Sequence, residues 1–163
     1  MKTWSGYYQD RVGESYARYC TCRYKPFLDA IRNMHAVSPV EEGCGIGTMS
    51  KILGVTRSFD LDRGMIDLSC RNLIPAVQKS ITIPVECDLF FSHGVLEHLS
   101  DDIIHQVINR GGRQVHYVPS NHYSAPSFGD ERLMSAMEWK SKFNPDTVIE
   151  FNNGKDLVLI WQK

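Results

Sequence analysis

The chain has 163 residues, of which 42% are apolar and 23% are charged. This composition is that of a single globular domain with a substantial core, and it excludes disordered, collagen-like and low-complexity classes. The 18 lysines and arginines nearly balance the 19 acidic residues, so the formal net charge is −1. The basic excess typical of nucleic-acid-binding proteins is missing, and we therefore expect no nucleic-acid partner.

The sequence also indicates the cellular compartment of the protein. No apolar stretch reaches the ~18 residues that a membrane span needs, and the N-terminus lacks the apolar segment of a secretion signal. Five scattered cysteines favour free thiols in a reducing cytoplasm. Cys20 and Cys22 have no second cysteine pair to complete a zinc site. These features predict a cytoplasmic protein without membrane contact or bound metal.

We divide the single domain, 1–163, into an N-terminal helical cap (1–35) and a sheet core (36–163). In the cap, apolar and aromatic residues recur at three- and four-residue steps, and Pro26 predicts the start of a second helix. In the core, Asp62 and Ser100 predict the starts of two helices, because short polar side chains cap helix N-termini. The predicted helices are 47–53, 63–73, one from Ser100 to Gly111, and 131–142. The predicted strands are 37–42, 55–59, 81–85, 89–91, 114–118, 147–151 and 157–161.

Alternation of strands and helices predicts a mostly parallel sheet with helices on both faces. Pro84 interrupts the strand predicted at 81–85, which places that strand at or near an edge. Asn152-Asn153-Gly154 between the last two strands predicts a β-hairpin that adds antiparallel strands to one edge. A standard dinucleotide-binding fold ends instead with a parallel strand.

A glycine-rich turn follows the first predicted strand, in the run Val-Glu-Glu-Gly-Cys-Gly-Ile-Gly-Thr at 40–48. Gly43 and Gly45 permit a sharp turn and close approach of the backbone to a ligand. The G-x-G-x-G spacing differs from the dinucleotide pattern, and a tight turn without a ligand is an alternative. Asp60 ends the next predicted strand, where an acid can accept both hydroxyls of a ribose. Together these features predict a nucleoside ligand at the carboxyl edge of the sheet.

These segments resemble motifs of the class I S-adenosylmethionine-dependent methyltransferases. Residues 41–48 are similar to the first motif, 59–62 to the second, and 92–99 to the segment after the fourth strand. Residues 111–113 and 118–121 are similar to the surroundings of the fifth strand. The resemblance covers about Pro39 to Lys163 and implies a Rossmann-like class I methyltransferase fold. About fifteen residues separate Leu73 from Asp88, so the third-strand region is shortened.

The resemblance implies S-adenosylmethionine as the cofactor. It assigns the turn to the methionine half, Asp60 to the ribose, Leu61 to the adenine, and Ser92 and His93 to the neighbourhood of the methyl group. The shortened region leaves only Glu86 or Asp88 as an acid for the adenine amine. The expected cofactor contacts are Glu41, Gly43, Cys44, Gly45, Asp60, Leu61, Ser92 and His93.

Methyl transfer requires alignment of the acceptor and exclusion of water, and a general base only where the acceptor holds its proton tightly. The candidate catalytic bases are His93 and His122, which follow two central strands. Their alternative role is that of ordinary loop histidines.

The candidate substrate contacts are Tyr8, Asn121 and Arg132. Helix packing is the alternative role for Tyr8, and a helix start is the alternative for the region of Arg132. Glu97-His98 is similar to part of a Glu-x-x-Glu-His metal motif. Gly94 occupies the position of the first acid, so we expect no metal there.

The sequence thus predicts a methyltransferase that acts on a small-molecule acceptor. An alternative is a non-catalytic member of the same fold that binds S-adenosylmethionine or a protein partner. A nicotinamide-dependent oxidoreductase fits the glycine spacing and the terminal hairpin poorly. Both a monomer and a homodimer are compatible with the sequence.

Overall fold

The computed structural model of the chain describes residues 4–127 and 129–162, and within them seven strands form one sheet. The strands are β1 (Pro39–Glu42), β2 (Ser58–Asp60), β3 (Ala76–Gln78), β4 (Leu89–His93), β5 (Arg113–Pro119), β6 (Thr147–Phe151) and β7 (Asp156–Gln162). Their order across the sheet is β3-β2-β1-β4-β5-β7-β6. The first five strands pair in parallel.

Strand β7 runs antiparallel to both of its neighbours, β5 and β6. The predicted hairpin is confirmed, with Phe151 opposite Asp156 at its closed end. Asn152, Asn153 and Gly154 all have positive φ in the connecting turn, as a tight turn between antiparallel strands requires. The chain order reverses between β1 and β4, whose carboxyl ends border a crevice. In open α/β sheets ligands bind at such a crevice.

Seven α-helices surround the sheet in the described part of the chain: α1 (Trp4–Tyr8), α2 (Glu14–Arg23), α3 (Lys25–Asn33), α4 (Thr48–Leu53), α5 (Arg63–Arg71), α6 (Asp101–Asn109) and α7 (Ala136–Phe143). Pro26 lies in the first turn of α3, as predicted. Among these residues, no helix has the length and apolar character needed to cross a lipid bilayer.

Polar caps determine where two of the core helices begin. The Asp62 carboxylate accepts the N–H of Gly64 at 2.7 Å and that of Met65 at 3.3 Å. The Ser100 hydroxyl accepts the N–H of Ile103 at 3.4 Å. Both caps satisfy helix-start N–H groups that otherwise lack a partner, which confirms the two predicted helix starts.

Helix α7 begins later than the predicted residue 131. Ser135 caps it through a reciprocal pair of hydrogen bonds with Glu138, so the first helical residue is Ala136. Asp130, which precedes the predicted start, does not cap the helix, and its Oδ1 lies 3.0 Å from Nδ1 of His98. The prediction at this boundary was wrong because a complete capping box outcompetes a single acid.

The prediction of a third strand at 81–85 was also wrong. The third strand is β3, at Ala76–Gln78, where Ala76 pairs with Ser58 of β2. Residues 81–85 form a loop, since Pro84 cannot donate to a strand ladder and its carbonyl accepts Lys79 Nζ at 3.0 Å. Strand β3 is an edge strand, as predicted for the third strand.

Two hydrophobic clusters cover the two faces of the sheet. One packs α2, α3 and α4 against the sheet, and the other packs α6 and α7 against the opposite face. The largest buried side chains of the first cluster are Phe27, Leu28, Phe91 and Leu89, and those of the second are Trp139, Trp161, Leu96 and Ile104. The sheet is therefore buried on both faces, in agreement with the near-continuous apolar runs of β4 and β7.

Arg110, at the end of α6, clamps the short loop that follows β3. Its guanidinium pairs with both carboxylate oxygens of the buried Glu42, with an Nη1–Oε1 distance of 2.9 Å. Nη1 also donates to the carbonyl of Ile81 at 2.9 Å, and the guanidinium lies 3.8 Å over the ring of Phe90. This one side chain therefore ties β1, β4 and the loop after β3 together.

We predict that Arg110→Met destabilises the protein by about 3–5 kcal/mol, because it leaves the Glu42 carboxylate buried without its partner. Urea denaturation provides the measurement. The matched control is Arg63→Met, which removes an exposed ion pair to Asp67 and should cost less than about 1 kcal/mol. Equal losses for the two variants would contradict the assigned role of Arg110.

Candidate functional site

Glycines form the turn that leaves β1 and enters α4. Gly43 and Gly45 have φ values of +64° and +54°, a region that side chains rarely adopt. A Cβ atom on Gly43 would lie 2.5 Å from Cγ2 of Val95, so this position has no space for one. The turn thereby brings the backbone close to the segment that follows β4.

Asp60 holds this turn against the end of β2. Its Oδ2 accepts the N–H of Gly45 at 2.7 Å, and its Oδ1 accepts the N–H of Asp62 at 2.8 Å. Burial is the largest influence on the Asp60 carboxyl and raises its pKa. These two bonds use two of the roughly four acceptor positions of a carboxylate. The remaining positions can accept hydrogen bonds from a ligand.

A cavity of about 590 Å³ opens beside Asp60, and we call it the Asp60 cavity. Its polar lining includes Asp60, Lys79, Ser80 and Thr82. A carboxylate beside an apolar slot suits a ligand with a flat base and a sugar bearing hydroxyls. The apolar lining comprises Leu61, Met65, Ile81, Val95, Leu99 and Ile103.

The loop after β3 supplies hydroxyl groups, not an acid, to this cavity. The hydroxyls of Ser80 and Thr82 lie 2.9 Å apart and both residues line the cavity. Glu86 is exposed and does not line it. Asp88 lies before β4 and accepts the N–H groups of Val37 and Ser38 at 2.6 and 2.9 Å. Neither acid is therefore placed to meet a base in this cavity.

A second cavity, of about 440 Å³, adjoins the first, and we call it the tyrosine cavity. All seven tyrosines of the sequence line it, together with Trp4. Trp4, Tyr8, Gly94 and His98 line both cavities, so the two spaces meet at these residues. The tyrosines are Tyr7, Tyr8, Tyr16, Tyr19, Tyr24, Tyr117 and Tyr123.

His93 ends β4 and lines the tyrosine cavity. Its ring stacks on Tyr117 with centroids 4.3 Å apart, and the ring of Tyr24 meets it edge-on at 4.2 Å. Burial lowers the pKa of His93 to about 3, so the imidazole is neutral at pH 7. Its Nε2 atom has no hydrogen-bond partner within the described residues.

Glu97 lines the same cavity and was not among the predicted site residues. Its side chain is almost fully buried, with a residue exposure of 2%, and Oε2 lacks a hydrogen-bond partner among the residues described. Burial raises the pKa of Glu97 to about 8, and the nearby Glu131 adds to the shift. The sequence shows an acid in a segment after a buried strand, but this pattern does not distinguish a ligand contact from a turn.

Several predicted site residues lie outside both cavities. Ser92 pairs with Nδ1 of His116 at 2.7 Å in the interior of the sheet. Asn121 and His122 are exposed, and His122 packs against the hairpin turn, with Nδ1 3.3 Å from the carbonyl of Asn153.

Arg132 is also outside the two cavities, and its guanidinium is engaged within the protein. It donates to the carboxylate of Asp101 and to the carbonyl of Leu99. Its backbone N–H donates to the carbonyl of Glu97 at 3.0 Å. These contacts anchor the segment before α7 to the segment before α6.

Glu41 and Cys44 are buried beneath the glycine turn. The Glu41 carboxyl accepts the backbone N–H of Ser50 at 2.8 Å and also the Ser50 hydroxyl. Both residues line a small cavity of about 50 Å³, together with Tyr8 and His93. The predicted residues Gly43, Asp60, Leu61, His93 and Tyr8 thus line the main cavities, while Glu41 and Cys44 lie below them.

The fold is similar to that of solved structures, among them SAM-dependent methyltransferases. A Thermotoga maritima SAM-dependent methyltransferase, described as a possible histamine N-methyltransferase, superposes with a TM-score of 0.64 at 12% identity and covers 90% of this chain and 93% of its own. The DhpI protein in complex with SAH gives a TM-score of 0.66 at 18% identity, covering 98% and 95%. A protein of Pyrococcus horikoshii OT3 gives 0.71 at 13%, covering 96% and 97%.

The chain has the class I methyltransferase fold. This confirms the predicted fold class, including the mostly parallel sheet and the antiparallel C-terminal strand. The sequence matches no protein-family model and no curated protein. At sequence identities of 12–18%, the similarity to these structures shows a common fold only.

We predict that the raised pKa of Glu97 makes the protein less stable as pH rises. The carboxyl stays protonated in the folded state up to pH of about 8, whereas in the unfolded chain it ionises near its ordinary value of 4.5. The contribution of this carboxyl to the free energy of unfolding is therefore full below pH 4.5 and is lost as pH rises through 8.

Chemical denaturation between pH 5 and pH 8 measures this effect. Glu97→Gln should flatten the decline in unfolding free energy by up to about 1.4 kcal/mol per pH unit. The control is Glu86→Gln, since Glu86 is exposed. A slope unchanged by Glu97→Gln would contradict the prediction.

Proposed function

We propose that the chain is an S-adenosylmethionine-dependent methyltransferase that acts on a small molecule. The observation that carries this proposal is the pair of adjoining cavities at the carboxyl edge of the sheet. One contains an acid, Asp60, at the end of β2, and the other is lined by aromatic and polar side chains. The class I methyltransferase fold supports it, and the DhpI neighbour is itself in complex with SAH.

The residues of the Asp60 cavity fit the chemistry of the cofactor. Asp60 retains acceptor positions for ribose hydroxyls, and Leu61 and Ile81 offer apolar surface to the adenine. Gly43 also lines this cavity and presents backbone without a side chain to the methionine end. The hydroxyl of Ser80, in place of an acid, can bond the edge of the base.

When bound, S-adenosylmethionine supplies a methyl group that its positively charged sulfur already activates for displacement. The protein then has to hold the acceptor in line and exclude water. Trp4 and Tyr8 of α1 line both cavities and so enclose their junction. His93, neutral because burial lowers its pKa to about 3, can accept a hydrogen bond from the acceptor. A volume of about 440 Å³ is that of a small-molecule site.

Calorimetric titration with S-adenosylmethionine and S-adenosylhomocysteine tests the proposal. We expect both to bind with a Kd on the order of micromolar, a binding free energy of about −8 kcal/mol. Absence of binding by the wild-type protein would overturn the proposed function.

Leu61→Asp is a sharper probe than a substitution of Asp60, because Asp60 also holds the glycine turn. Leu61 lines the cavity and is 67% exposed, so a polar residue there should leave the fold intact. We expect binding to weaken by about tenfold or more, since an apolar contact is replaced by a charge.

Leu73→Asp is the matched control for Leu61→Asp. Leu73 is 83% exposed and does not line the Asp60 cavity. Calorimetry of this variant should give the wild-type Kd. Equal weakening by the two substitutions would mean that the ligand does not occupy the Asp60 cavity.

A further inference from the structure

Two polar atoms in the tyrosine cavity are left without a hydrogen-bond partner by the described residues. They are Oε2 of Glu97 and Nε2 of His93. The Glu97 side chain is fixed in the interior, with a residue exposure of 2%. Buried polar groups are almost always hydrogen-bonded, so an acid left in this state points to a ligand.

Charged side chains of both signs line this cavity, and the acid whose charge acts on Glu97 is Glu131. Arg11 also lines the cavity, with its guanidinium 3.9 Å over the ring of Tyr7. Glu131 lines the cavity near Glu97 and binds the N–H and hydroxyl of Ser127. Arg23 also lines the cavity, but its charge is balanced by the buried Asp156 at 2.7 Å. A ligand carboxylate beside Glu97 would therefore meet the negative charge of Glu131.

Aromatic rings form most of the remaining wall. Tyr24 and Tyr117 contact the ring of His93, and Trp4 stacks on Tyr8 with ring centroids 6.2 Å apart. Electron-rich ring faces attract cations, and aromatic walls with a buried acid are suited to protonated nitrogen.

We propose that the tyrosine cavity binds the amino group of an amine acceptor, with Glu97 and His93 accepting its N–H bonds. The inference rests on the proposed function and names the class of its substrate. An alcohol or phenol has one O–H and can satisfy one of these acceptors, whereas a primary amine can satisfy both. The amine nitrogen is thus the atom to be methylated.

The proton that the amine must lose before methylation can be accepted by Glu97, which lines the cavity. Without a bound amine the Glu97 carboxyl is protonated below pH of about 8. Binding of the positively charged ammonium favours the ionised form, so the carboxyl releases its proton to solvent and then accepts one proton from the ammonium. The freed nitrogen lone pair forms the bond to the methyl carbon as the carbon–sulfur bond breaks, and that electron pair returns to sulfur. The methylated ammonium leaves, and Glu97 is again protonated, as it was before the amine bound.

Binding to the protein saturated with S-adenosylhomocysteine tests the inference without requiring turnover. The probes are benzylamine, 2-phenylethylamine and 3-phenylpropylamine, each compared by calorimetry with the alcohol of the same chain length. We expect at least one amine to bind about tenfold or more tightly than its alcohol, the ratio expected for a charge-assisted hydrogen bond. No binding by any amine, or equal binding by the alcohols, would overturn the inference.

The variant Glu97→Gln tests whether the preference for an amine over its alcohol depends on Glu97. It keeps the size of the side chain and removes its ability to ionise, so the preference for the amine should be lost while S-adenosylhomocysteine still binds. The matched control is Glu86→Gln, which lines neither cavity and should keep the preference. A preference retained in Glu97→Gln would contradict the role of Glu97. Failure of S-adenosylhomocysteine to bind the wild type would instead overturn the proposed function itself.

Discussion

The carboxylate of Asp60 organises the carboxyl edge of the sheet. By accepting the N–H groups of Gly45 and Asp62, it joins the glycine turn after β1 to the start of α5. A further bond from the Cys44 N–H to the carbonyl of Phe59, at 2.9 Å, extends this joint. The Asp60 carboxylate is therefore held in place by bonds within the protein itself. Its remaining acceptor positions consequently point in a fixed direction. Such preorganisation reduces the entropy cost of binding.

The short third-strand region depends on a different interaction. With three residues in β3 and a loop after it, the wall of the Asp60 cavity has little secondary structure to support it. Arg110 supplies that support by holding the carbonyl of Ile81 while paired with Glu42. A buried ion pair contributes little net stability compared with apolar packing, but it fixes geometry. Here it fixes the position of a cavity wall.

The sequence predicted the mostly parallel sheet, its C-terminal hairpin and most helices because they depend on local signals: glycines at turns, caps such as Asp62 and Ser100, and continuous apolar strands. It did not locate β3, whose three residues have no hydrophobic alternation and are strands only through pairing with β2. The tyrosine cavity could not be predicted from the sequence either. Tyr8 and Tyr117 are distant in sequence and meet only in the folded chain, and the burial of Glu97 is a tertiary property.

The distribution of tryptophans gives the protein a built-in optical reporter. Trp4 lines both cavities, whereas Trp139 and Trp161 are fully buried on the face covered by α6 and α7. Indole emission responds to the polarity and quenching groups around it. The two buried indoles therefore provide a constant background, and changes in fluorescence on adding a compound originate from Trp4. The molecule can thus reveal occupancy of either cavity without any label.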